Sequence, residues 1–351
     1  MESIHQSVQE YYGRELQQSE DLKTNACCTL QEPPKHIKSI LSQIHDEVIT
    51  KYYGCGLTIP DHIEGLTILD LGSGSGRDVY IASKLVGEQG RVIGLDMTQE
   101  QLDVANRHID YHMEAFGYTT SNVSFIKGNI DHLGELGIEE GSIDIIISNC
   151  VINLVEDKEK VLADAFRLLK PGGEIYFSDV YSDRRIADNL REDPVLWGEC
   201  LSGALYWNDF LTISRMVGFT DPRSVKSNPI TIENEELEEK LGDIKFFSVT
   251  YRLWKIEGLE QDCEDYGQAV AFKGGIPHVG NTFSLDDHHD FPKGKVMPVC
   301  GNTYKMLHDT RYHDFFDFYG SWDVHYGIFE GCGGSMPFSL NDNSIDEVSC
   351  C

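Results

Sequence analysis

The chain has 351 residues, 40% hydrophobic and 10% aromatic, enough for one large α/β domain and a smaller module. Its formal charge is −29, from 58 acidic against 29 basic residues, so neither nucleic acid nor an anionic membrane is expected as a partner. No apolar run reaches the ~18 residues of a membrane span, and the polar start MESIHQSVQEYYG has no signal core, so a cytoplasmic location is expected.

Residues 1–35 read as a polar leader with some helix, ended by Pro33-Pro34. Over 36–53, Ile37, Ile40, Leu41, Ile44 and Val48 recur at helical spacing, and Gly54 and Gly56 break the helix around Cys55. From residue 66 strands and helices alternate. LTILDLGSGSG is an apolar strand running into glycines, and 77–86 places Val79, Ala82, Leu85 and Val86 on one helical face. RVIGLD is a second strand, and 98–117 a helix with Thr98 as N-cap. NVSFIKGN and IDIIISN follow as strands, 157–170 as a helix ended by KPGG, and GEIYFSDV as a fifth strand. This alternation predicts an α/β fold, a parallel sheet with helices on both faces. PRSVKSNPITI and the alternating IKFFSVTYRLWKI suit an antiparallel pair at its edge, and 233–240 an exposed acidic helix. Beyond residue 256 Gly, Asp, His and Phe dominate, so 257–351 is expected to be a small C-terminal module whose last 15 or so residues are disordered.

The loop LDLGSGSGRD carries Gly72, Gly74 and Gly76 between a strand and a helix, where glycines let backbone approach a ligand. Asp96 ends the next strand, placed to grip two ribose hydroxyls. The spacing is G-x-G-x-G rather than G-x-G-x-x-G, and Asp70 precedes the first glycine by two residues, suited to an ammonium group. S-adenosylmethionine fits these features better than a dinucleotide. The chain resembles the class I methyltransferase (Rossmann-like) fold. That resemblance implies adenine contacts at Gly128, Asn129 and Ile130, donor contact at Met97, and a far wall of Ser148, Asn149 and Val151.

Ten cysteines are many for a reducing compartment, and no C-x-x-C pair occurs, leaving core thiols, redox thiols or a soft-metal site. Strand-four ends point into the cleft, and SNCVINL offers Cys150 there where no histidine follows. Together with YYGCG, LDLGSGSGRD and LWGECLSGALYW, it resembles the arsenite methyltransferases over residues 10–256. The resemblance implies that Cys55, Cys150 and Cys200 bind arsenic, that Cys27 (or its neighbour Cys28) is a fourth thiol, and that Glu199 joins the arsenic side. It also implies a Tyr53 ring near the donor and a Cys27–Cys55 disulfide formed in turnover and reduced by thioredoxin or glutathione. The division is then a leader, 1–35, carrying Cys27; a methyltransferase domain, 36–256, with the arsenic segment around 150–210; and the module 257–351. The substrates would be arsenite and methylarsenite as thiol conjugates, with no fixed metal cofactor. Soft trivalent arsenic suits thiolates, and working thiols are expected to be partly exposed. The competing readings are a methyltransferase of a small organic acceptor and a non-catalytic metalloid-binding protein. Cys263, Cys300 and Cys332 read as core thiols, DDHHD (286–290) as a solvated loop, and Trp197 and Trp207 as packing residues.

Overall fold

The computed structural model describes residues 33–52, 57–191, 193, 196–197, 200–232 and 234–332. Cys27, Cys28, Tyr53, Cys55 and Glu199 lie outside them.

Five strands, β1 (Thr67–Leu71), β2 (Arg91–Asp96), β3 (Val123–Lys127), β4 (Ile143–Asn149) and β5 (Leu169–Ser182), run parallel in the order β3-β2-β1-β4-β5. A two-residue strand, β6 (Leu205–Tyr206), pairs with the end of β5. The edge beyond β5 is antiparallel: β8 (Phe246–Trp254) pairs with β5, and β7 (Arg223–Pro229) pairs with β8. The central strands β1, β2 and β4 are buried along most of their length because both faces are covered. Leu69, Leu71 and Ile146 enter one core, while their neighbours Ile68, Ile145 and Ile147 enter the other.

Helices α1 (Lys35–Leu41), α2 (Asp46–Thr50), α3 (Arg77–Val86), α4 (Gln99–Arg107), α5 (Ile109–Phe116), α6 (Lys158–Leu168), α7 (Trp207–Met216) and α8 (Glu235–Leu241) accompany the sheet. Two segments expected as single helices are broken. Residues 36–53 divide where the His45 ring accepts from Glu47 N–H and caps α2. Residues 98–117 divide at His108, whose Nε2 lies 2.7 Å from the Glu47 carboxylate. KPGG ends α6 as expected yet forms part of β5, with Gly172 N–H donating to Lys255. Helix α8 is not wholly exposed, since Leu237 and Leu241 are buried. Trp197 is half-buried, with Nε1 directed at Leu154 O, whereas Trp207 is 46% exposed and packs only partly.

Residues 259–328 build on β8. β10 (Gln268–Phe272) lies between β13 (Val296–Val299) and β14 (Phe316–Tyr319), beside the hairpin β11 (Thr282–Ser284)–β12 (Asp290–Pro292), the pair β9 (Glu264–Asp265) and β15 (Gly327–Ile328), and α9 (Gly301–His308). Its core of Phe272, Phe283, Phe291, Tyr312 and Phe316 takes in Trp254 of β8. The seam holds a buried ion cluster: Arg252 meets Glu174 at 2.8 and 3.0 Å, and Arg311 reaches the same carboxylate. Burial opposes the charge on Glu174, but Arg252 and Arg311 outweigh it and hold the carboxyl below the usual glutamate range. A depressed carboxyl stabilises the fold above its unfolded value and loses that contribution as pH falls through the folded value. Glu174→Gln should therefore cost about 3–5 kcal/mol in urea unfolding at neutral pH, because it leaves Arg252 buried beside a neutral partner. The deficit should shrink at acidic pH, where wild-type Glu174 is also protonated.

Candidate active site

The strand order reverses between β1 and β4, and the cleft opens at their carboxyl ends, as it does in open α/β sheets. It holds about 970 Å³ of empty space, part of it open to solvent. Gly72 and Gly74 have φ of 74° and 52°, a left-handed backbone that side chains resist. A Cβ on Gly72 would come within 2.4 Å of Val151 Cγ2, so the glycine loop and the turn after β4 touch only because residue 72 has no side chain. Asp96 holds the loop: one carboxylate oxygen accepts Gly74 N–H at 2.8 Å and the other Thr98 N–H at 2.8 Å. The Thr98 hydroxyl also goes to Asp96 rather than capping α4.

The predicted residues Asp70, Gly72, Gly74, Asp96, Met97, Asn129, Ile130, Asn149 and Cys150 all line this cleft. Gly76 does not; at φ 90° it starts α3, packed on Phe125. Ser148 is also off the wall, its hydroxyl turned to Leu71 O. Tyr52 lines the cleft, and its hydroxyl accepts from Asn149 Nδ2 at 2.6 Å. Arg77 lies over the Tyr52 ring, 3.1 Å from its centroid, and pairs with Asp78 at 2.7 Å. Three carboxylates, Asp70, Asp78 and Asp96, crowd one wall. Burial, then the charges of Asp78 and Asp96, push Asp70 well above the usual range, with Arg77 opposing. A ligand bringing positive charge would relieve this repulsion, whereas a pyrophosphate would worsen it. The buried Ser73 hydroxyl, on the same wall, has no hydrogen-bond partner among the described residues and suits a polar ligand group. The cleft thus fits a cationic donor such as S-adenosylmethionine.

Beside this wall β4 ends at Asn149, and the next residue, Cys150, has a left-handed φ of 57°. Cys200 shares that conformation at 60°, and its Sγ lies 3.4 Å from the Cys150 carbonyl. Gly203 makes this approach feasible, since a Cβ there would fall 2.2 Å from Asn153 O. Asp179 fixes the Cys150 turn from beneath by accepting Asn153 N–H at 3.0 Å. Burial pushes the Asp179 carboxyl up to about 7.

Two expectations need correction. Cys150 and Cys200 are not partly exposed: they are 3% and 0% exposed, within an apolar cluster with Leu154, Val180, Leu196 and Leu201. Their left-handed turns aim both residues inward. In addition, Cys150 is in a disulfide, so its sulfur must be reduced before it acts as a thiolate. The sequence reading also missed Lys158. Burial lowers its ammonium to about 8, while Asp179 and Cys200 pull it up. Its Nζ donates to Val155 O at 2.7 Å. In a pattern-based reading it is one more lysine on a helix.

Residues 62–218 match a methyltransferase domain family, and residues 259–322 match a domain family of unknown function. The chain is 57% identical to the arsenite methyltransferase of Aquipseudomonas alcaligenes, over 99% of this chain and all of that protein. It is 49% identical to that of Homo sapiens, over 88% of this chain and 82% of that protein. The chain belongs to the arsenite methyltransferase family. A crystal structure of an arsenic(III) S-adenosylmethionine methyltransferase from Chlamydomonas reinhardtii superposes with a TM-score of 0.82 at 50% identity, covering 85% of this chain and all of that one. The protein is thus a methyltransferase of class I fold.

Two measurements probe this geometry. Gly72→Ala combines a strained φ with the Val151 collision, so affinity for S-adenosylhomocysteine by calorimetry should fall about tenfold or more; unchanged affinity would mean that the loop does not position the donor. Lys158→Met removes the positive charge that favours a Cys200 thiolate. The acid limb of Cys200 alkylation, followed by mass spectrometry, should then move to higher pH; an unmoved limb would deny the coupling.

Proposed function

We propose that this methyltransferase transfers methyl groups from S-adenosylmethionine to trivalent arsenic held by cysteine sulfur, converting arsenite to mono- and dimethylated arsenicals. The observation that carries this reading is the approach of Cys200, from a distant segment, to Cys150 at the cleft wall: both sit on left-handed turns, and Cys200 Sγ lies 3.4 Å from the Cys150 carbonyl. No histidine lies among the described residues lining the cleft. Its carboxylates crowd the donor side, so a base for an oxygen or nitrogen acceptor is missing where the acceptor would sit. Arsenic carries its own lone pair and needs only position and a dry site. Orientation alone can supply about 7–11 kcal/mol of a barrier.

On this reading Asp70 and Ser73 hold the polar end of the donor, and Asp96, Met97, Asn129 and Ile130 its nucleoside. When bound, the donor supplies the methyl that the arsenic lone pair takes and leaves as S-adenosylhomocysteine. Cys150 and Cys200 displace hydroxide from arsenic as water and fix its lone pair toward the cleft, with Lys158 favouring the thiolates. Cys27 and Cys55 are assigned as further thiols and Glu199 as a neighbour, following the family motifs. The two electrons that arsenic gives up in accepting the methyl return when two thiolates close to a disulfide. Thioredoxin or glutathione then reduces it, as either must reduce Cys150 before arsenic binds.

The test is to incubate protein, arsenite, S-adenosylmethionine and a dithiol and to speciate the arsenic. Methylated arsenicals are expected from the wild type. Cys150→Ser and Cys200→Ser should each lose about a hundredfold or more in rate while still binding S-adenosylhomocysteine. No methylated arsenic from folded protein that binds both ligands would refute the proposal and favour a small organic acceptor, and full arsenic methylation by both variants would refute the role given to Cys150 and Cys200.

A further inference from the structure

Three more cysteines, all outside the methyl-transfer cleft, converge from separate segments. Cys263 precedes β9, Cys300 immediately precedes α9, and Cys332 follows β15. β9 and β15 pair, with Asp265 opposite Gly327, and Phe329 N–H donates to Cys263 O at 2.7 Å. That pairing lays the Cys332 turn against Cys263. The three sulfurs all lie within 4.8 Å of one another, and those of Cys263 and Cys332 are 2.8 Å apart. None of the three is in a disulfide. Cys300 is buried and the other two are half-buried, so the group is reachable from one side. Around Cys300 Sγ stand the Thr303 hydroxyl at 3.3 Å and the Arg223 guanidinium at 3.8 Å. Arg223 is itself anchored by Asp221 at 2.7 Å and Asp286 at 3.2 Å.

We propose that Cys263, Cys300 and Cys332 form a second trivalent-arsenic site, a three-thiolate centre in the C-terminal module. Trivalent arsenic is soft and three-coordinate, so three converging sulfurs complete its shell. The binding step balances without an oxidant or reductant. Each arsenic–hydroxide bond of arsenous acid breaks as an arsenic–sulfur bond forms, and each thiol proton leaves with the hydroxide as water. The neighbouring guanidinium favours ionised sulfur during the exchange. A tetrahedral ion such as zinc needs a fourth donor. The nearest imidazole, His289, reaches Cys332 as a hydrogen-bond partner, but its Nδ1 is on Asp286 at 2.7 Å, its Nε2 lies 3.4 Å from Thr303 Oγ1, and it is not a member of the close-set group. The cation Arg223 occupies part of that flank. Bound arsenic would tie the ends of β9, α9 and β15 together, making arsenite a stabilising ligand of the module.

The test uses the reduced full chain without methyl donor, dialysed against arsenite, with bound arsenic counted by mass spectrometry and the melting temperature recorded. Cys263→Ser and Cys332→Ser, at half-buried positions, should each lose one equivalent of arsenic relative to wild type. Binding of S-adenosylhomocysteine should be unchanged. In the Cys150→Ser/Cys200→Ser protein, arsenite should still raise the melting temperature, and adding Cys263→Ser should abolish that rise. Unchanged stoichiometry in both single variants would overturn the proposal, as would zinc that copurifies and resists arsenite. Methyl transfer is read separately by speciation, so either proposal can fail without the other.

Discussion

The contact between Gly72 and Val151 is the constraint on which the site depends. Parallel strands β1 and β4 are hydrogen-bonded neighbours, so the loops leaving their carboxyl ends emerge side by side. For the loops to pass each other, one of them must give up a side chain, and Gly72 does. The same crowding explains the backbone at Cys150. A left-handed residue there turns the chain sharply into the buried helical turn Ile152–Leu154. The glycine loop and the cysteine-bearing turn thus share one wall thickness.

The two halves of the cleft have opposite dielectric character. On one side Asp70, Asp78 and Asp96 keep a polar, negatively charged surface that favours cations. On the other, Cys150 and Leu154 line the cleft, and behind them Cys200 sits in an apolar cluster with Leu196 and Leu201. Dry surroundings disfavour a free thiolate but do not disfavour a neutral arsenic–sulfur bond. Burial of Cys150 and Cys200 is therefore compatible with the proposed metalloid chemistry, although it would hinder a cysteine that had to act as an ordinary exposed nucleophile. Lys158, its ammonium lowered by burial, is a cation that Asp179 and Cys200 pull upward.

The C-terminal module rests on the sheet through Trp254 and the Glu174–Arg252–Arg311 cluster rather than through the cleft. β8 serves both units: it is the antiparallel partner of β5 and gives its last residue to the module's aromatic core. The segment 286–290, read as a solvated loop, is only partly so. Asp286 is buried and orders Arg223 and His289, while His288 points outward.

Local chemistry was legible from residue order. The run LDLGSGSG, with Asp70 before it and Asp96 a strand later, encodes a glycine loop and its holder, because turn conformations and apolar periodicity are short-range properties. The strands and their parallel arrangement followed from that pattern, and the family resemblance pointed to the residues that line the cleft. What the sequence could not decide were distances between segments far apart in the chain: the burial of Cys150 and Cys200, the approach of Lys158, the break at His108, and the meeting of Cys263, Cys300 and Cys332. A cysteine has the same local signature whether it faces leucine, another sulfur or a guanidinium. Only the packing of β4 against the Gly203 turn, and of β9 against β15, brought those sulfurs together, since side-chain environments are set by contacts that no local pattern specifies.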